Sequence, residues 1–439
     1  MESNKNLELM EKLVSLAKRR GFVFQGSEIY GGLNGTWDFG PLGTLLARNI
    51  KEEWWKAVVQ KRDDVVGLDS TILHHPKVWE ASGHIKNFTD SLVECKNCHN
   101  RIRVDHMPED GKCPNCGKKD FTKARDFNLM FKTFIGPVED ESGTVYLRPE
   151  TAQGIFINFD NVMQSSRVKL PFGIAQIGKG FRNEITTGNF LFRVREFEMM
   201  ELEYFVKPGT EKKSHEYWQK ERLNWFLGLG IKKENIKLIQ LPKEDLAHYS
   251  KGTAELWYNW PFMGFGELEG IASRGDYDLK QHMQVSGKDL TFFDEEDKEK
   301  YLPYVIEPSV GVGRAFLAFF IDAYNEEETE GEIRTVLKFH PKLAPIKASV
   351  LPLIKDEKLQ KIAKDIFHEL KEDWMVTYDE TSSIGRRYRR ADEIGTPFCI
   401  TVDFDSLEDK AVTIRDRDSM KQKRVAITEL SSFIKAKLS

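Results

Sequence analysis

The chain has 439 residues, of which 40% are hydrophobic and 31% charged, with a formal net charge of -4. This is room for two or three domains in a globular composition, and it excludes a global basic field while permitting a local basic face for nucleic acid. No stretch approaches the roughly 18 apolar residues of a membrane span and the N-terminus lacks the apolar core of a secretory signal, so a cytosolic location with no membrane partner is expected.

From Met1 to Arg20 the spacing of Leu7, Met10, Leu13, Val14 and Ala17 predicts an amphipathic helix. Trp37-Asp38-Phe39-Gly40-Pro41-Leu42-Gly43 then runs into a second helix that reaches Trp55. Cys95 and Cys98 form one C-x-x-C pair, and Cys113 and Cys116 a second, inside a short polar insertion at residues 90–125. Each pair turns two thiolates toward one ion, and four thiolates close a tetrahedron around zinc with no position left open, which makes the site structural. Cys399 sits in an apolar strand-like run and is expected to be a core thiol. The segments Val168–Gln176, Phe197–Phe205 and Phe262–Ile271 read as long strands separated by loops, a pattern that favours an antiparallel sheet flanked by helices.

An apolar helix around Phe316–Tyr324 leads into the acidic run Asn325–Glu332, read as a linker or solvated face. The expected division is therefore a domain at 1–335 and a compact α/β domain at 343–439. The latter predicts strands at Ala348–Leu353, Met375–Tyr378, Phe398–Val402 and Ala411–Ile414. Between them fall an amphipathic helix carrying Leu359, Ile362, Ala363, Ile366, Phe367 and Leu370, and a basic helix over Ser383–Glu393; a last short helix covers Leu430–Leu438. The cluster Arg386, Arg387, Arg389 and Arg390 around Tyr388 suits phosphate contact and base stacking, and equally a solvent-facing helix with charged partners.

Gly173-Ile-Ala-Gln-Ile-Gly178-Lys179-Gly180 nearly spells a phosphate-binding loop, but the last position lacks the hydroxyl that would hold magnesium, and no apolar helix follows. The segments after it carry more. Phe181-Arg182-Asn183-Glu184 is followed by a short loop and then by Phe192 through Glu203. One register of that strand turns Arg193, Arg195 and Phe197 to a single surface, two guanidinium forks for phosphates and a ring for a purine. Glu307-Pro308-Ser309-Val310-Gly311-Val312-Gly313-Arg314 leads into an apolar helix and sets an arginine at its start, a position suited to anions.

Phe181–Glu203 resembles motif 2 of the class II aminoacyl-tRNA synthetases, Glu307–Arg314 resembles motif 3, and Trp37–Gly43 with its helix resembles motif 1. More narrowly, the chain is similar to the homodimeric, bacterial-type glycyl-tRNA synthetases over nearly its whole length, including Tyr30-Gly-Gly-Leu-Asn-Gly35, Arg148-Pro-Glu-Thr-Ala-Gln-Gly154, Gly266-Glu-Leu-Glu-Gly-Ile-Ala272 and the cysteine insertion. The resemblance implies an α+β fold: a class II antiparallel β-sheet catalytic domain with a zinc-ribbon-like insertion, then an α/β anticodon-binding domain. It implies ATP, magnesium and zinc, with glycine, a glycine-accepting tRNA and a second copy of the chain as partners. Carried over residue by residue, Arg182 and Arg314 would be catalytic, holding the α- and γ-phosphates. Asn183, Glu184, Phe192, Arg193, Val194, Arg195, Glu196, Phe197, Glu267, Leu268, Gly311, Val312 and Gly313 would complete the nucleotide site. Glycine would be held by Arg103 (or Arg101), Glu150, Phe197, Glu198, Met199, Met200, Glu201, Glu307, Pro308, Ser309, Val310 and Gly311. Carboxylates crowded round a glycine exclude a methyl group by size, so no editing site is expected.

Two rival readings stay open at this level: a class II synthetase for another small amino acid, and a non-catalytic relative that keeps the fold for binding nucleic acid. The retained Arg182, Arg193 and Arg314 weigh against the second. A class I synthetase is excluded more simply, because Ser82-Gly-His-Ile85 matches its signature poorly and no KMSKS-like segment exists.

Overall fold

A computed structural model describes residues 2–247, 250–329 and 331–438. Met1 of the first predicted helix and Glu330 of the acidic run lie outside them. Helix α1 (Glu2–Arg19) turns Leu13, Leu16 and Ala17 into the core. Helix α2 (Pro41–Trp55) opens on a proline, whose fixed φ suits the first helical position. It buries Leu46, Ala47, Ile50 and Trp54 along one side.

Seven strands form the principal sheet: β1 (Val65–Gly67), β2 (Phe172–Phe181), β3 (Glu196–Val206), β4 (Ile236–Gln240), β5 (Gly252–Trp260), β6 (Gly264–Gly275) and β7 (Tyr304–Gly311). Their order across the sheet is β4–β5–β6–β7–β3–β2–β1. All neighbours are antiparallel except β2 and β1, which agrees with the sheet expected from the long loop-separated strands. Helix α3 (Glu211–Gly228) packs on β6 and β7, and its buried Arg222 meets buried Glu269 of β6, Nε to Oε1 2.6 Å. Helix α4 (Tyr277–Ser286) follows β6, and α5 (Val312–Ala323) follows β7. Helix α5 is apolar on all sides because it is covered on all sides, with Phe316, Phe319 and Phe320 buried against α2 and the sheet. The near-match to a phosphate loop lies inside β2, ladder-paired with β3 over its whole length, so it forms no cradle.

The acidic run is not a linker. Tyr324–Thr329 and Glu332–Leu337 pair as an antiparallel hairpin. The glutamates are tolerated there because they find cations: Glu326 meets Lys12, and Glu327 meets Arg334 and Lys338. A second apolar core begins at Ala348 and gathers Val350, Ile366, Ile400, Ile414 and Ile434. It lies on a five-stranded mixed sheet of β8 (Ala348–Pro352), β9 (Val376–Tyr378), β10 (Phe398–Val402), β11 (Ala411–Asp416) and β12 (Gln422–Ala426), ordered β9–β8–β10–β11–β12. Helices α6 (Glu357–Lys371), α7 (Ile384–Glu393) and α8 (Leu430–Leu438) complete it. Asp356 caps α6 by accepting from the backbone amides of Lys358 (2.9 Å) and Leu359 (3.2 Å), a contact worth about 1 kcal/mol. Strand β12 was not anticipated: it is an edge strand with only Val425 buried, so its alternation is too weak to read. Cys399 is buried on β10, as expected of a core thiol.

The insertion is built on Thr89–Glu94, which pairs with Arg101–Arg103 on one side and Arg125–Asn128 on the other. Its own core is small: Val93 and Ile102 with the cysteines, edged by Met107 and Phe121.

Candidate active site

Alternation along β3 and β7 sets which side chains meet. Phe197, Met199 and Glu201 of β3 share one face with Glu307, Ser309 and Gly311 of β7, because Glu201 pairs with Ser309 and Met199 with Gly311. Gly270 of β6 pairs with Ser309, and Ala272 with Glu307. Over this face lies a cavity of about 310 Å³.

One end of the cavity is cationic and aromatic. Arg182 enters from the end of β2, its Nε donating to Pro149 O (3.2 Å) and its guanidinium 5.3 Å from the Phe197 ring. Arg314, in the first turn of α5, lies 4.4 Å from the Phe192 ring and pairs with Glu267 at 2.8 Å. Phe192 is held in turn by edge contacts with Trp260 and Phe262. The Arg314 charge keeps the Glu267 carboxyl below its ordinary range. On the neighbouring strand, burial and the Glu267 charge push Glu255 up.

The other end is a fixed set of carboxyl groups. Glu201 is buried; one oxygen accepts from both the backbone amide (2.6 Å) and the hydroxyl of Thr151, the other from the Ser309 hydroxyl (2.7 Å). Glu307 is buried and accepts from Arg274 Nη1 at 2.8 Å. Burial pushes its carboxyl up to about 8, with the Glu201 and Glu150 charges adding to the effect and Arg274 opposing it. Arg274 also makes a two-pronged pair with Asp278, both contacts 2.8 Å. Gln153 ties Asp278 (2.9 Å) to Glu150 (3.1 Å). Burial would raise Glu150, but His84, 3.4 Å away, and Arg274 hold it well below the carboxylate range. Beneath this layer, one pleat further along β3, Glu203 is fully buried with neither oxygen hydrogen-bonded. Burial, and after it the Glu307 charge, raise it well above its ordinary value. From Phe197 to Glu201 is four residues of strand, about 14 Å at 3.4 Å each.

Of the residues expected in the site, Glu150, Arg182, Glu184, Phe192, Arg193, Val194, Phe197, Met199, Glu201, Glu267, Leu268, Glu307, Ser309, Gly311, Gly313 and Arg314 line the cavity. The others lie elsewhere, mostly by alternation. Glu196 pairs with Lys179, Glu198 with Lys51 of α2, and Met200, Val310 and Val312 are in the core. Pro308 is buried between the cavity-facing positions of β7. Asn183 uses its backbone amide on Leu129 O, 2.7 Å. The surface predicted for Arg193, Arg195 and Phe197 loses its middle member, because the Arg195 guanidinium turns to the carbonyls of Asn34 and Glu184. Arg103 pairs with Asp90 and Arg101 with Glu94, so neither lines the cavity.

Other contributors were missed, among them Gly270, Ala272, Glu255 and Arg274. Gly270, Ala272 and Arg274 follow Leu268 at steps of two, so alternation within β6 was a usable signal. Glu255 sits on β5, beside a register shift at Leu256/Trp257, and carried none.

The four cysteine sulfurs all lie within 4.8 Å of one another, with Cys95–Cys116 and Cys98–Cys113 both at 3.6 Å. Tetrahedral zinc with bonds of about 2.3 Å needs sulfurs about 3.8 Å apart, so the cluster fits such an ion. Among the described residues no helix is long and apolar enough to cross a membrane.

The tRNA synthetase class II core domain (G, H, P, S and T) matches residues 131–324, and the anticodon binding domain matches residues 347–437. The solved prolyl-tRNA synthetase of Cryptosporidium parvum superposes with a TM-score of 0.67 at 17% identity, covering 97% of this chain and 74% of that one, a likeness of fold. The chain thus has the architecture of a class II aminoacyl-tRNA synthetase. It is 53% identical to the glycine–tRNA ligase of Thermobifida fusca, over 98% of each chain. It is 55% identical to that of Clostridium acetobutylicum, over 99% of this chain and 100% of the relative. The chain belongs to the glycine–tRNA ligase family.

Proposed function

We propose that the chain activates glycine with ATP and transfers it to the end of a glycine-accepting tRNA. The observation that carries this reading is the division of one cavity: Arg182 and Arg314 at one end, and Glu201, Glu307 and Glu150 at the other. The ammonium group of glycine takes the carboxylates and Ser309, while ATP stacks its purine between Phe197 and the Arg314 side. The glycine carboxylate attacks the α-phosphorus, the bond to pyrophosphate breaks, and glycyl-adenylate forms. No side chain acts as nucleophile. Arg182 neutralises charge that grows on the α-phosphate as the bond breaks, and Arg314 neutralises the leaving phosphates. Alignment of the two reactants supplies about 7–11 kcal/mol of such a barrier. The terminal adenosine hydroxyl of tRNA then attacks the glycyl carbonyl and AMP leaves.

Glu255 and Glu267 face the cavity from adjacent strands and suit a magnesium ion that arrives with the phosphates, where it would screen their charge. Zinc on Cys95, Cys98, Cys113 and Cys116 would hold the insertion together. Residues 1–335 would form the catalytic domain and 343–439 the anticodon-binding domain, with α2 at a dimer contact. Glycine-dependent ATP–pyrophosphate exchange, run against all twenty amino acids, tests the reading. Exchange with glycine alone, lost in Arg182→Ala, supports it. Exchange with serine or alanine overturns the glycine pocket, and no exchange from folded protein leaves a binding module.

A further inference from the structure

The four arginines of α7 have separate fates. Arg387 is buried and donates to the carbonyls of Pro352, Leu353 and Asp379, while Arg390 pairs with Asp379. Arg386 stays exposed and Arg389 half-exposed, on the helix's outer side.

The C-terminal end of α7 is clasped both from within its own domain and from outside it. Asp392 is fully buried and accepts from Arg334 Nε (2.8 Å) and from both terminal nitrogens of Arg415 (2.9 and 3.1 Å). Arg334, also fully buried, sits on the hairpin that continues α5, the helix opening with Arg314. Its remaining nitrogens go to Glu327 and to the Arg417 carbonyl. Arg417 bridges the Gly395 and Phe339 carbonyls, both at 2.8 Å. The neighbouring Glu393 accepts from Arg20, Nε to Oε2 2.6 Å, at the end of α1. Gly395 closes the helix at φ +76, and a Cβ there would lie 2.4 Å from the Phe339 ring.

Buried ion pairs of this kind contribute little net stability over an apolar contact of the same volume, and removing one partner strands a buried charge. What they add is direction, because guanidinium forks accept a carboxylate in few orientations. We propose that Asp392, seconded by Glu393, is a positioning residue that sets the angle of α7, and with it the exposed Arg386 and Arg389, against the catalytic cavity. The inference rests on the tRNA-charging reading above. Its effect falls on tRNA recognition and leaves amino-acid activation alone.

The test compares wild type, Asp392→Asn and the milder Glu393→Gln, at a side chain only 18% exposed, in two assays on the full chain. Glycine-dependent pyrophosphate exchange should keep its kcat and its KM for ATP and glycine. In aminoacylation the KM for tRNA should rise about tenfold in Asp392→Asn and about threefold in Glu393→Gln. If Asp392→Asn fails to fold, Glu393→Gln decides alone. Unchanged tRNA KM in the folded variants overturns the proposal, as does a parallel loss of exchange and charging, which marks a merely structural contact. A wild type with no glycine exchange instead removes the underlying reading.

Discussion

The buried carboxyl of Glu307 makes glycine binding depend on pH in a direction that can be worked out. With its carboxyl raised to about 8, Glu307 is largely protonated at pH 7 and cannot accept the ammonium group as a carboxylate. Only the ionised fraction binds, so the KM for glycine should fall about tenfold per pH unit well below 8 and level off above it. Stability of the free protein runs the opposite way. A carboxyl raised above its unfolded value contributes stability that is complete below about 4.5 and is lost as pH rises through about 8. Glycine supplies the missing positive charge, so the rise in melting temperature on adding glycine should grow between pH 6.5 and 8.5. Arg274 is the main influence holding this carboxyl down. Arg274→Met should therefore shift the KM plateau to higher pH, and at pH 7.5 raise the KM about tenfold or more. The assay is pyrophosphate exchange at saturating ATP and constant ionic strength. A KM that is flat or rises between pH 6 and 8 would refute the assignment of the ammonium to Glu307.

Two further outcomes follow from single positions. A Cβ at Gly270 meets no protein atom within 4 Å and projects into the cavity, so Gly270→Ala should fold normally yet lose glycine affinity by about 1–3 kcal/mol; an unchanged KM for glycine would place the substrate elsewhere. Metal analysis should find one zinc per chain and Cys113→Ser should lose it, with hydrogen exchange rising first across residues 95–121, since the insertion's core is too small to hold without the ion. Retained zinc or unchanged protection in that variant would refute the tetrahedral site.

Local patterns were readable from residue order wherever one interaction dominates. The apolar spacing of α1 and α6 foretold their helices, the two C-x-x-C pairs foretold the cysteine cluster, and the runs into Arg182 and Arg314 foretold the basic end of the cavity. Alternation was readable too but depends on register. Arg195 and Glu198 sit beside true cavity residues, and only pairing with neighbouring strands and with Lys51 and Asn34 shows which way they turn. The roles of Asp278 and Gln153 were unreadable for another reason: they matter through partners distant in the chain, Gln153 and Asp278 being 125 residues apart. The acidic hairpin and the clasp on Asp392 are the same case. A charge in a sequence is silent about its counter-charge, and burial makes that partner decide everything, because an unpaired charge away from water costs several kcal/mol.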